Sequence, residues 1–128
     1  MRGIIFDSDV IIDYLRNVPS VTYEINRLVM SGTVMAISPV TEAEIFHGTR
    51  TNEVQTTKEA LQTFECLDLN RMVGRYAGHY LKKYCKSHGV QLADALIAAS
   101  AHVHKFALWT FNWKHYPMQD IQRYRMSC

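Results

Sequence analysis

Three short apolar runs constrain this chain most: Ile4-Ile5-Phe6, Val34-Met35-Ala36-Ile37 and Ala107-Leu108-Trp109. None alternates polar with apolar residues, and unbroken apolarity over so few positions is the pattern of a strand buried on both faces. Such strands belong to parallel sheets, whose crossover helices cover both sides. The segments between the runs read as those helices. Val10 to Leu15 follows the first run, with Ser8 or Asp9 available as its N-cap. Pro19-Ser20 opens a second helix that Ser31-Gly32 stops. Ser38-Pro39 sets Ser at an N-cap and Pro at the first position of a short helix that Gly48 ends. Asn52 to Phe64 reads as a polar-faced helix, Cys66 to Leu69 as a further short strand, and Asn70 as the cap of a long helix reaching Lys86. Gln91 to His104 is amphipathic, with Leu92, Ala95, Leu96, Ala99 and Val103 on one face. Around Ile121 the pattern allows an edge strand or a tail. Strands alternating with helices predict an α/β fold, a three-layer α/β/α sandwich around a short central parallel sheet.

With 128 residues and 48% of them hydrophobic, the chain fits one domain spanning 1–128 and excludes a disordered tail. Fourteen Lys+Arg against twelve Asp+Glu leave a net charge of +2, too small for nucleic-acid binding driven by net charge alone. Cys66, Cys85 and Cys128 form no C-x-x-C, which excludes zinc-ribbon and thioredoxin readings; they are expected as buried thiols in a reducing compartment. The apolar run after Met1 is too short for a signal peptide or a membrane span, so a soluble, cytoplasmic protein is expected.

In open parallel sheets, ligands bind beyond the carboxyl ends of the strands. Here those ends deliver Asp7-Ser8-Asp9, then Ser38 followed by Thr41 to Glu44, then Thr110-Phe111-Asn112, and Asp94 opens the Gln91–His104 helix. Carboxylates gathered together repel and desolvate one another unless a cation joins them. A hard divalent ion such as Mg²⁺ suits oxygen ligands and can activate water against a phosphodiester. Each acid also has a plainer reading. Asp7 and Asp9 can be turn formers or caps, with Asp9 the more cap-like; Thr41 to Glu44 matches a capping box; and Asp94 sits where a helix dipole favours any acid. The stronger helix start at Ser38-Pro39 leaves Glu44 inside its helix. At about 100° per residue Glu44 lies roughly 40° from Val40, on the expected buried side, and Glu42 roughly 200° away. Asp94 is flanked by Leu92, Ala93, Ala95 and Leu96, poor company for a free surface acid. Tyr76, Tyr80 and Tyr84 at four-residue spacing read as packing, and Arg71, Arg75, Lys82, Lys83 and Lys86 as a solvated face that could also track a phosphate backbone. The six histidines have no zinc-ligand spacing, and Walker, G-x-G-x-x-G and G-x-S-x-G motifs are missing.

Three blocks together resemble the PIN-domain family, and within it the VapC-type ribonuclease toxins: Ile4 to Leu15, Ile37 to Glu44, and Leu92 to Ala101. The last, Ala93-Asp94-Ala95-Leu96-Ile97-Ala98-Ala99-Ser100-Ala101, is the most specific. The resemblance implies an endoribonuclease, the toxin of a type II toxin–antitoxin pair, in which Asp7, Glu44 and Asp94 hold Mg²⁺ or Mn²⁺ and Asn112 joins them as a catalytic residue. It also implies an RNA substrate, a cognate VapB-type antitoxin, a homodimer, and contact with DNA only through the antitoxin. Ser8 or Thr110 would position water or phosphate. The closing motif here reads Thr110-Phe111-Asn112-Trp113-Lys114-His115-Tyr116, with Asn112 and His115 where acids are common in the family.

Two other readings compete. Asp7-Ser8-Asp9-Val10 after a strand also resembles haloacid-dehalogenase-type phosphatases, in which Asp7 would be a covalent nucleophile; that reading lacks a downstream lysine and leaves the Asp94 block unused. A non-catalytic PIN-like binding module is the third, motivated by Asn112 and His115 and opposed by the three retained acids.

Overall fold

A computed structural model describes residues 2–126. Strand β1 (Ile4–Phe6) leads directly into α1 (Ser8–Leu15) and α2 (Pro19–Met30). β2 (Met35–Ile37) is followed by α3 (Pro39–Gly48), a 3₁₀ turn at Thr51–Glu53, and α4 (Val54–Leu61). Then come β3 (Glu65–Cys66), α5 (Arg71–His88), α6 (Leu92–His104), β4 (Ala107–Trp109) and a 3₁₀ turn at Trp113–His115. The sheet order is β3-β2-β1-β4 and every pairing is parallel. Because β1 leads outward to β2 and β3 on one side while β4 returns on the other, the chain reverses direction at the β1/β4 boundary. The carboxyl ends of those two strands therefore flank the crevice where open α/β sheets bind ligands.

Strand alternation divides the core in two. Ile5, Ala36 and Leu108 face a layer built on α5 and α6, including Val73, Tyr80, Ala95, Ala98 and Ala99. Ile4, Phe6, Met35, Ile37 and Trp109 face the other layer, where Val10, Ile25, Leu28, Ile45 and Leu61 pack. This is the expected three-layer α/β/α sandwich, with β1, β2 and β4 apolar at every position because both of their faces are covered, while the edge strand β3 is exposed. Gly3 lets β1 enter the sheet, since a Cβ there would stand 2.4 Å from the Val34 carbonyl oxygen.

Element edges differ from expectation at a few places. The segment Asn52 to Phe64 divides into a 3₁₀ turn and α4, and the short third strand lies at Glu65–Cys66, ahead of its expected position. The tail near Ile121 joins β4 by a single bridge, Leu108 to Arg123, with Leu108 N–H donating to Gln122 and Tyr124 N–H donating to Leu108. Cys66 and Cys85 are exposed, contrary to the expectation of buried thiols, because one ends an edge strand and the other faces outward on α5; Cys128 lies outside the described residues. Tyr80 is buried and the Tyr76–Tyr80–Tyr84 series is packing, with Tyr76 and Tyr84 partly buried against the same core. Arg71, Arg75, Lys82, Lys83 and Lys86 are all exposed on α5. No helix among the described residues is long and apolar enough to cross a membrane.

Candidate functional site

Helix α1 begins without a connecting loop, so one residue, Asp7, is both the end of β1 and the N-cap of α1. Its two carboxylate oxygens have separate tasks. Oδ1 accepts from the Ser8 backbone N–H (2.8 Å), and Oδ2 accepts from the Thr110 hydroxyl (2.8 Å) beyond the neighbouring strand β4. The cap is thus Asp7 rather than Ser8 or Asp9, because the extended backbone at Asp7 lets the helix start one residue earlier. Asp9, expected to be a cap, instead reaches across to β4, where its Oδ2 accepts from the Phe111 backbone N–H (3.0 Å). The loop after β4 is closed by the Asn112 N–H donating to the Thr110 hydroxyl oxygen (3.0 Å).

Asp94 enters from α6. Its Oδ2 accepts from the Gln91 backbone N–H (3.2 Å), which is the helix-start role, while Oδ1 stands 3.7 Å from His115 Nδ1. The capping and functional readings of Asp94 therefore describe two oxygens of one side chain. Tyr116, fully buried, brings its hydroxyl within electrostatic reach of Asp7, Asp94 and Asp9. Burial first, and then those charges, push the Tyr116 phenol well above its ordinary range. Burial followed by the Asp7 charge pushes Asp9 up to about 6, against the opposing pull of its hydrogen bonds. Burial also raises Asp94, opposed by the Gln91 N–H and by His115, with Asp7 adding to the rise.

Glu44 joins this edge indirectly. Its Oε1 accepts from the Ser8 hydroxyl (2.5 Å), but the side chain is exposed rather than on a buried face. Glu42, expected to point to solvent, is half-buried and hydrogen-bonds with the Cys66 thiol. The physical reason is the choice of reference: Thr41 and Ile45, not Val40, form the buried stripe of α3. Measured from that stripe, Glu42 and Glu44 lie roughly 80° to either side. Glu44 forms part of the wall of a groove of about 970 Å³ between α1, α2, α3 and α4, which also holds Arg16 and Arg50. Asn112 is half-buried beside His115, its amide nitrogen 3.3 Å from the ring nitrogens.

Asp7, Asp9 and Asp94 are thus brought together with Tyr116 and His115, and Glu44 is tied to them through Ser8. Among the described residues, no three His, Cys, Asp or Glu side chains already converge closely enough to hold an ion as they stand. The donor chemistry nevertheless fits a hard divalent cation. Three carboxylates repel one another, and one buried oxygen, Asp9 Oδ1, has no hydrogen-bond partner. Asp9, Tyr116, Arg16 and Arg50 received no functional role from sequence. For Asp9 the signal was available, since Asp7 and Asp9 straddle a helix start and cannot both cap it.

Comparison with known proteins places these features. The PIN domain family model matches residues 4–120. Ribonuclease VapC10 of Mycobacterium tuberculosis (strain ATCC 25618 / H37Rv) is 36% identical over 116 residues, covering 90% of this chain and 86% of the relative. Ribonuclease VapC19 of the same strain is 28% identical over 120 residues, covering 92% and 96%. Among solved structures, DNA-bound VapBC from Salmonella typhimurium has a similar fold, with a TM-score of 0.81 at 19% identity over 97% of this chain and 98% of that one. VapBC2 from Rickettsia felis, bound to a DNA fragment from its promoter, follows at 0.80 and 20%, again over 97% and 98%.

Proposed function

From the premise that the chain belongs to the PIN-domain family, we propose that it is a metal-dependent endoribonuclease acting as the toxin of a type II toxin–antitoxin pair. The observation that carries this reading is the gathering of Asp7, Asp9 and Asp94 at one sheet edge, close enough that the Asp7 charge raises both neighbours. The ribonuclease relatives support the reaction class, and the VapBC structures support a VapB-type antitoxin as partner. RNA is the proposed substrate, the functional unit a homodimer, and DNA is met only through the antitoxin.

Asp7, Glu44 and Asp94 would hold Mg²⁺ or Mn²⁺. Such an ion, when bound, supplies positive charge against the scissile phosphate and acidifies an attacking water. The chain's own residues set the geometry. Thr110 and the Ser8 N–H fix both oxygens of Asp7, so the carboxylate cannot rotate away from the edge. Ser8 holds Glu44 toward Asp7, and Phe111 N–H holds Asp9 against the loop after β4. Asn112 acts through that same loop, packing its amide on His115. Arg16 and Arg50 line the groove that Glu44 also lines, and would take phosphates flanking the cleaved bond. A near-neutral chain can therefore offer an acidic pocket beside a basic RNA path.

The phosphatase alternative gains nothing from the geometry. Both oxygens of Asp7 accept hydrogen bonds, which suits a fixed ligand better than an attacking nucleophile. The test is cleavage of structured RNA by the purified protein with Mg²⁺ or Mn²⁺, with a chelator, and by Asp94→Ala. Cleavage that needs the ion and Asp94 is expected. Equal cleavage by both proteins, or hydrolysis of small phosphate esters that depends on Asp7 in place of RNA cleavage, would overturn the proposal.

A further inference from the structure

We infer that His115 is a nitrogen ligand of the ion site and turns its preference from Mg²⁺ toward Mn²⁺, an assignment that rests on the proposed function above. The closing motif sets an imidazole, rather than a further carboxylate, beside Asp94. Its Nδ1 lies 3.7 Å from Asp94 Oδ1, less than twice the ~2.1 Å coordination length, so one ion can touch both atoms.

The ring is presented rather than used up in packing. Its side chain is about half exposed (51%), whereas His102 and His104 are committed to the backbone carbonyls of Asp120 and Asp68. The short turn that carries it is held at both ends. Tyr116 is fully buried directly after it, and the Trp113 ring before it lies under the Arg123 guanidinium at 4.7 Å. Asn112 completes the arrangement from 3.3 Å. An amide's oxygen and nitrogen occupy interchangeable places, so turning Asn112 over sets its oxygen 3.3 Å from both ring nitrogens, where it can accept the Nε2–H. A hydrogen bond of that kind is what fixes the tautomer and orientation of a ligating histidine.

The chemical consequence follows from donor type. Mg²⁺ strongly prefers oxygen and holds its waters, while an imidazole nitrogen suits first-row transition ions. Replacing one carboxylate by imidazole also removes a negative charge, which weakens the hold on Mg²⁺ further. The site keeps enough carboxylates to remain an oxygen-rich centre, and among physiological ions Mn²⁺ accepts that mixture.

The test uses the full chain and the ions themselves. Mn²⁺ and Mg²⁺ affinities are measured by titration for wild type, His115→Ala, His115→Asp and Asp94→Asn, and pulsed EPR of the Mn²⁺ complexes reads nitrogen coupling from imidazole. Wild type is expected to show that coupling and His115→Ala to lose it, with Mn²⁺ affinity falling about tenfold and Mg²⁺ affinity nearly unchanged. His115→Asp should shift the Mn²⁺/Mg²⁺ preference toward Mg²⁺ by a similar factor. Mn²⁺ binding that depends on Asp94 but shows no nitrogen coupling, or is indifferent to His115→Ala, overturns the assignment alone. Ion binding that Asp94→Asn leaves untouched overturns the ion site and this assignment with it.

Discussion

Two acidic sites in this molecule, each with tyrosine and histidine beside it, have opposite character. At the sheet edge, Asp9 and Asp94 are raised by burial and by the charge of Asp7, and a buried oxygen of Asp9 lacks a partner. Near the end of the chain, Asp120 accepts hydrogen bonds from the hydroxyls of Tyr80 (2.7 Å) and Tyr76 (3.0 Å), with His102 beside it. Burial pushes Asp120 up, but the two tyrosines and His102 outweigh it and hold the group below its ordinary value. One cluster is an anion with its donors supplied; the other is a set of anions with too few. The first stabilises the fold, pinning the tail against α5 and α6. The second stores repulsion that only something from outside can relieve, which is the usual mark of a functional site.

Substitutions should separate the two. The largest effect is expected from Asp7→Asn, which should lower RNA cleavage by about a hundredfold or more. The amide oxygen keeps the helix cap and a repelling charge is removed, which offsets the lost acceptor for the Thr110 hydroxyl, so the stability of the ion-free protein in urea should change by no more than about 1 kcal/mol. Comparable cleavage, or a large loss of stability, would erase the distinction. Thr110→Val comes next: it strips Asp7 of its buried donor and leaves the Asn112 N–H unpaired, at a cost of about 1–3 kcal/mol in urea unfolding together with weaker cleavage. Tyr80→Phe should cost about 1 kcal/mol and leave the cleavage rate alone, since the bond it removes ties α5 to Asp120 and not to the acids of the sheet edge. The smallest effect is one of pH. Because Asp120 is held below its ordinary value of 3.8, its stabilisation is present above 3.8 and is lost as pH falls from there through the lower value of the folded state. Urea midpoints measured on the acid side should therefore decline less steeply in Asp120→Asn than in wild type, and equal slopes would remove Asp120 from the account.

Much of this fold is legible in the sequence. The runs Ile4–Phe6 and Ala107–Trp109 are strands because nothing in them tolerates water on either face, and Ser38-Pro39 starts α3 as its chemistry requires. The places of Asp7 and Asp94 at helix starts are legible because each follows a recognisable element boundary. What pattern could not supply was anything set by contact across the fold. The roles of Glu42 and Glu44 turn on which residues of α3 meet the core, and a single reference residue, Val40, misplaced both. Asp9 owes its surroundings to the loop after β4, and Tyr116 to Asp7 and Asp9, at separations of about a hundred residues in the chain, which local spacing does not encode. The exposure of Cys66 likewise follows from its place on the edge strand.

The central claim, that the sheet edge is an anion cluster completed by a divalent ion, is tested most directly by thermal unfolding with and without Mn²⁺. An ion that binds only the folded chain raises its midpoint by mass action. Wild type and Asp120→Asn should each gain several degrees from saturating Mn²⁺, and Asp94→Asn should gain almost nothing. No gain in wild type, or an equal gain in Asp94→Asn, would contradict it.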